Sequence, residues 1–164
     1  MKYHKGTYTR GRWSRKRNRF RDEEIIVDLL NDLVAANIGV IDVYQVAAEH
    51  VQDRANVARL QSYARQHKLF VQQLSNQILG QKGKPVTTAD GSTVVKRSWL
   101  TLREAGLIKE GLLLRKVEQD TRAVLETYGL AMSIQLPHEV RDLIYKQKSE
   151  MNQSYEKLTA LKMA

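Results

Sequence analysis

The stretch Arg54 to Leu79, RANVARLQSYARQHKLFVQQLSNQIL, decides the fold. Within it Val57, Leu60, Ala64, His67, Val71, Leu74 and Ile78 recur at alternating steps of three and four, which puts all seven on one face of a helix. Such a face must be covered by other helices, and it points His67 at whatever they bring to the same level. His67 is then either a metal ligand or a polar group satisfied inside a core.

The chain before this stretch repeats the pattern. From Asp22 to about Val51, the residues Ile26, Leu30, Leu33, Asn37, Val40, Tyr44, Ala47 and Val51 form an a/d-type seam over four heptads, with Asn37 and Tyr44 its polar members. Gly39 sits within this helix at a propensity cost of roughly 1 kcal/mol relative to alanine, which suggests a close neighbour or a slight bend. Gln52 and Asp53 make a short turn, so the first two long helices are antiparallel neighbours and His67 lies across from the region of Asn37 to Tyr44.

Beyond Leu79 the helix is expected to stop at Gly80, and Gln81 to Gly91 has the composition of a surface loop. Ser92 can cap a short helix running through Val95, Trp99 and Leu102 to about Ala105. A connection of this length can travel the length of a bundle, which would make the next long helix parallel to the second. That helix is expected from about Leu107 to Ser133, with Leu114, Val117, Thr121, Val124, Leu125, Tyr128 and Met132 inward and Glu118 at the border. Pro137 ends any continuation, and a last helix from His138 to about Lys162 carries Val140, Ile144, Gln147, Met151, Ser154, Leu158 and Leu161 inward. No strand pattern and no phosphate-binding glycine loop appears.

Composition narrows the chemistry. A chain of 164 residues is one ordinary domain, and the absence of cysteine excludes disulfides, thiolate metal sites and cysteine nucleophiles. No apolar run approaches the roughly 18 to 20 residues needed to span a bilayer, and no secretion signal opens the chain, so a soluble, cytoplasmic protein is expected. The net charge of +9 is segregated: of 27 basic residues, nine lie in the first 21 positions with no acid, and the other 18 balance 18 acids. Two units result, a basic aromatic arm over 1–21 and a nearly neutral bundle over 22–164.

The arm carries Lys2, Lys5, Arg10, Arg12, Arg15, Lys16, Arg17, Arg19 and Arg21, interleaved with Tyr3, Tyr8, Trp13 and Phe20. Cations neutralise phosphates while flat rings stack on exposed bases, so RNA is the first expectation for its partner, with Trp13 as the stacking residue beside the nine cations. The competing partners are an anionic membrane surface and none at all, the arm then only solubilising the chain. The part from Arg12 to Arg21 is compatible with a helix, and would then extend the first long helix outward; otherwise Asp22, Glu23 and Glu24 suit the first turn of a helix beginning there.

Five segments in this order resemble the bacterial ferritin-like four-helix bundles described as domain of unknown function 2383. They are LNDLVAANIGVIDVY from Leu30, YARQHKLFVQQL from Tyr63, RSWLTLREA from Arg97, VEQDTRAVLETY from Val117 and LPHEVRDLIYKQ from Leu136. The resemblance runs from Leu30 to Leu161. It implies a ferritin-like bundle and brings no established activity with it.

A ferritin-type dimetal centre needs a glutamate from each of two helices and a Glu-x-x-His pair from each of the other two, because two hard cations require bridging carboxylates and terminal imidazoles. Here Ala64 stands where the carboxylate of the second helix belongs, Asn37 is the residue of the first helix at the likely level, and the last helix offers Glu150 with Gln153 in place of imidazole. His67 and Glu118 are the weak metal candidates. The alternative is a buried network of Asn37, Tyr44, His67, Gln147 and Ser154, which fixes helix register if every member is paired. His4, His50 and His138 lie far apart, and no Ser-His-Asp or paired-carboxylate arrangement can be assembled.

The expectation is an all-α, ferritin-like four-helix bundle with a crossover segment containing a short helix and a basic N-terminal arm. It would be non-enzymatic, hold no cofactor, and dock on a polyanion, with RNA or a ribonucleoprotein first. The competing functions are a ferritin-like metal-binding or redox stress protein and a helical interaction module that self-associates.

Overall fold

The structure is a computed structural model that describes residues 11–89 and 109–161, with side chains described from Asp22 in the first helix and as far as Ala160 in the last. The described residues form four helices: α1 Gly11–His50, α2 Arg54–Gly80, α3 Glu110–Met132 and α4 His138–Leu161. The short helix expected between Ser92 and Ala105, the break expected at Gly106, and the inward side chain of Leu161 lie outside the described residues.

Hydrogen bonds between helices set the topology. Residues 51–53 reverse the chain, and Asp53 caps α2 by accepting from the backbone N–H groups of Ala55 at 2.7 Å and Asn56 at 3.2 Å. Gln52 N donates to Glu110 Oε2 at 3.4 Å, so α3 starts where α1 ends and runs antiparallel to it, parallel to α2. Tyr44 meets Thr121 and Asn37 meets Tyr128 in the matching order. The crossover therefore does traverse the bundle. Residues 133–137 turn the chain again, and α4 runs antiparallel to α3, as the pairs Tyr128–Gln147 and Arg122–Tyr155 require.

The α1 seam is as its heptads indicate, since Ile26, Leu30, Leu33, Asn37, Val40, Tyr44, Ala47 and Val51 are all buried. On α2 the buried set is Leu60, Tyr63, Ala64, His67, Phe70, Leu74 and Ile78, while Val57 and Val71 are only half-buried. The stripe is wider than a two-helix seam because α2 also faces α4, to which Gln66 and Gln73 extend. The same correction applies to α3, where Leu113 and Ala131 are buried and Leu114 and Met132 are half-buried. Burying a leucine, isoleucine or phenylalanine side chain contributes about 1.5 to 3 kcal/mol each, so these seams hold the bundle together.

Two helix ends differ from expectation. α1 begins at Gly11 and not at Asp22, so the helical form of Arg12 to Arg21 is the observed one. No proline interrupts the stretch, and the helix is already anchored downstream, which removes the nucleation cost of extending it. α2 does not stop because of Gly80, around which an added Cβ would meet nothing within 4 Å. The left-handed residue is Lys82, with φ of 60°, and Gly83 N donates to Ile78 O at 2.9 Å while Lys82 N donates to Leu79 O at 3.0 Å, a Schellman ending. Gly83 is needed for space, since a Cβ there would lie 2.7 Å and 2.8 Å from the Val27 methyls. Asn31 then clips the following chain to α1, donating to Lys84 O at 3.1 Å and accepting from Val86 N at 2.9 Å.

Candidate functional site: a polar ring through the core

Asn37 is fully buried, and its amide nitrogen donates to Leu33 O at 2.7 Å and to the Tyr128 hydroxyl at 2.8 Å. A backbone carbonyl can only accept, so the amide orientation is fixed and Oδ1 must face the other way, toward His67 Nδ1 at 2.6 Å. That oxygen cannot donate, and His67 is therefore the tautomer with hydrogen on Nδ1. Burial pushes the imidazole down to about 3, which leaves it neutral at ordinary pH.

The bonding continues in one direction. The Tyr128 hydroxyl donates to Gln147 Oε1 at 2.7 Å, and Gln147 Nε2 donates to Gln73 Oε1 at 2.9 Å and Phe70 O at 3.4 Å. The path starts at His67 on α2, crosses to α1, α3 and α4, and returns to α2 one turn further along. It is a closed polar ring through one level of the bundle, with donors and acceptors aligned head to tail so that each bond polarises the next. Because a member sits on every helix, sliding any one helix by a turn would strand several buried groups.

A second cross-link lies beside it. Thr121 spends its single hydrogen on Val117 O at 2.7 Å, so the 2.6 Å bond between Tyr44 and Thr121 is donated by the tyrosine. Burial raises both Tyr44 and Tyr128 well above the ordinary phenol value, and both hydroxyls stay protonated as donors. The ring of Tyr44 packs 5.3 Å from that of His67 and 5.8 Å from that of Tyr63, and Phe70 meets His67 edge-on at 5.5 Å.

Of the five residues expected in a buried network, Asn37, His67 and Gln147 are brought into one path. Tyr44 touches His67 only through its ring, and Ser154 is elsewhere, donating to Gln66 Oε1 at 2.9 Å. Tyr128, Thr121 and Gln73 are the members that pattern reading missed as hydrogen-bonding partners. The antiparallel pairing of α1 with α3 could have indicated Tyr128 and Thr121, because it sets them at the levels of Asn37 and Tyr44.

The metal candidates are kept apart in their bonding. Glu118 is engaged on the α3–α4 border, accepting from Arg122 at 3.2 Å and from the Tyr155 hydroxyl at 3.4 Å. His67 Nδ1 is occupied by Asn37, while Nε2 is buried with no hydrogen-bond partner, as is the Tyr63 hydroxyl. Gln153 is exposed and Glu150 half-buried. Among the described residues no three histidine, aspartate or glutamate side chains converge where a metal could be held. His50 bonds Val46 O at 2.8 Å and His138 pairs with Asp142 at 3.0 Å, both at the surface of the bundle. Of the polyanion-binding set, Lys2, Lys5 and Arg10 lie outside the described residues; Arg12, Trp13, Arg15, Lys16, Arg17, Arg19 and Arg21 are on α1, where the backbone alone is described.

Residues 25–133 match the family model described as Domain of unknown function (DUF2383). No curated protein matches the chain. Among solved structures, the fold is similar to one from Bacteroides fragilis whose title calls it a dodecameric thioferritin and a bacterioferritin-related protein. The TM-score is 0.69 at 16% identity, covering 85% of this chain and 84% of that one. The ferritin-like four-helix bundle is thus established for this chain by its fold. No helix among the described residues is long and apolar enough to cross a membrane.

Proposed function

The chain belongs to the family described as domain of unknown function (DUF2383), and we propose that it works as a non-enzymatic ferritin-like bundle that docks on a polyanion through the N-terminal part of α1. One observation carries the reading: the entire net charge of the chain lies in its first 21 residues, N-terminal to Ile26, where burial in α1 begins among the described side chains. The bundle is neutral and supplies the scaffold, and the basic segment supplies the affinity.

The core is assigned a structural task. Asn37, Ala64 and Gln153 stand where a dimetal centre needs ligands, and Asn37 consumes the Nδ1 hydrogen of His67. Leu79, Leu112, Leu130 and Tyr145 are large apolar side chains at least half exposed, and they are the surface through which copies of this chain would associate, as the dodecameric relative does in its own case. The reading places the protein in the cytoplasm, where nucleic acid is the abundant polyanion.

The test compares the full chain with a chain lacking residues 1–21. Fluorescence anisotropy with labelled RNA and DNA at fixed low salt should show binding by the full chain and none by the truncation, with the thermal unfolding of the bundle preserved. Equal binding by the two would end the proposal. Preference for anionic vesicles over both nucleic acids would move the partner to a membrane surface.

A further inference from the structure

The basic segment is built as a rod. α1 is one continuous helix from Gly11, and among its described side chains burial begins at Ile26, with Ile25 still 46% exposed and Asp22 and Glu24 exposed. Val27 is the residue against which Gly83 closes the end of α2. Residues 11–25 therefore precede the packed part of α1 by about 22 Å of helix at about 1.5 Å per residue. The charge boundary falls at the same place: Arg21 is the last of the nine cations, and Asp22, Glu23 and Glu24 follow at once. Phosphates that attract the segment are repelled by the first turn after it, so a ligand is held on residues 11–21 and stopped at the bundle.

We infer that this projecting helix docks in the major groove of duplex DNA. The inference rests on the polyanion reading above and selects among its partners by shape. An α-helix with its side chains is about 10 to 12 Å across, and the major groove of B-form DNA is about 12 Å wide. The major groove of A-form RNA is too narrow and deep to admit it. Single-stranded RNA is bound by grooves and aromatic platforms along which the strand winds, which a straight rod does not offer. The RNA expectation drawn from the interleaved aromatic residues assumed an extended arm, and the helix beginning at Gly11 alters that assumption.

The experiment uses the full chain with a duplex DNA of about 20 base pairs, the duplex RNA and the single-stranded RNA of the same sequence, at one salt concentration. Duplex DNA is expected to bind at least tenfold tighter than either RNA. Asn18 lies in the middle of the projecting helix and carries no charge, so Asn18→Pro breaks the rod without altering the electrostatics. It should weaken duplex DNA binding by about 100-fold, which is the roughly 3 kcal/mol helix-interior cost of proline at about 1.4 kcal/mol per tenfold. Asn18→Gly should weaken it about fivefold and Asn18→Ala not at all, with bundle unfolding the same in all three. Undiminished binding by Asn18→Pro, or tighter binding of either RNA, would overturn the duplex inference while leaving the polyanion reading in place. Failure of the full chain to bind any of the three would remove both.

Discussion

Replacing Asn37 with leucine is the most informative perturbation of the core, because Asn37 sits on three of the ring's hydrogen bonds. The substitution strands the His67 Nδ1–H in a fully buried position, at a desolvation cost of about 1 to 3 kcal/mol, and removes a donor from the Tyr128 hydroxyl, which keeps its own bond to Gln147. Leu33 O retains its place in the helix ladder and loses little. The apolar leucine recovers part of this, for a net loss of about 2 to 3 kcal/mol. His67→Leu is a different case. It strands Asn37 Oδ1, but it also removes the Nε2 atom that has no partner in the parent, so the two effects oppose and the net change stays within about 1 kcal/mol. The double substitution leaves neither group stranded and should cost at least 1 kcal/mol less than the sum of the two. Urea unfolding of the parent, both singles and the double gives the cycle. Equal and additive losses would refute the claim that Asn37 and His67 act as one unit.

Other outcomes follow from the same coordinates. Gly83→Ala places a Cβ within 2.8 Å of both Val27 methyls and should destabilise the bundle by about 1 to 3 kcal/mol in thermal unfolding; an unchanged midpoint would contradict the close packing there. His67 is buried neutral with its pKa lowered from 6.5 to about 3, so the unfolded chain binds the extra proton first. Its contribution to stability is complete above pH 6.5 and is lost as pH falls from there through about 3, at up to about 1.4 kcal/mol per unit. His67→Leu should flatten that acid limb, and an identical limb in the variant would refute the assignment. Anaerobic loading with iron(II) or manganese(II) followed by elemental analysis should find less than one metal per chain, whereas two would require an oxidase-type centre.

The α1 seam was legible because a heptad pattern needs no knowledge of the partner, and all eight of its residues are buried. The α2 pattern was less so: Tyr63 and Phe70 are buried at the expense of Val57 and Val71 because the helix serves two neighbours at once, a fact that belongs to the assembly. The parallel run of α2 and α3 could be anticipated from the length of the crossover. Helix ends were read from residue type, and this failed at Gly80, since Lys82 takes the left-handed position. It failed again at Asp22, since an anchored helix continues through residues that would not start one. In the candidate site, His67 and Asn37 were visible as polar interruptions of apolar seams. The Tyr128 and Gln73 bonds depend on register between helices that are distant in sequence, and Ser154 is buried for another partner.

The central claim, that the basic start of α1 binds a polyanion by neutralising phosphates, is tested most directly by the salt dependence of DNA affinity. A helix with one side turned to the backbone can reach about four phosphates, which sets a slope of about −3 to −4 for the logarithm of the association constant against the logarithm of salt concentration. The chain lacking residues 1–21 should show no measurable binding at any salt. A slope near zero for the full chain, or the same affinity and slope for the truncated one, would contradict the account.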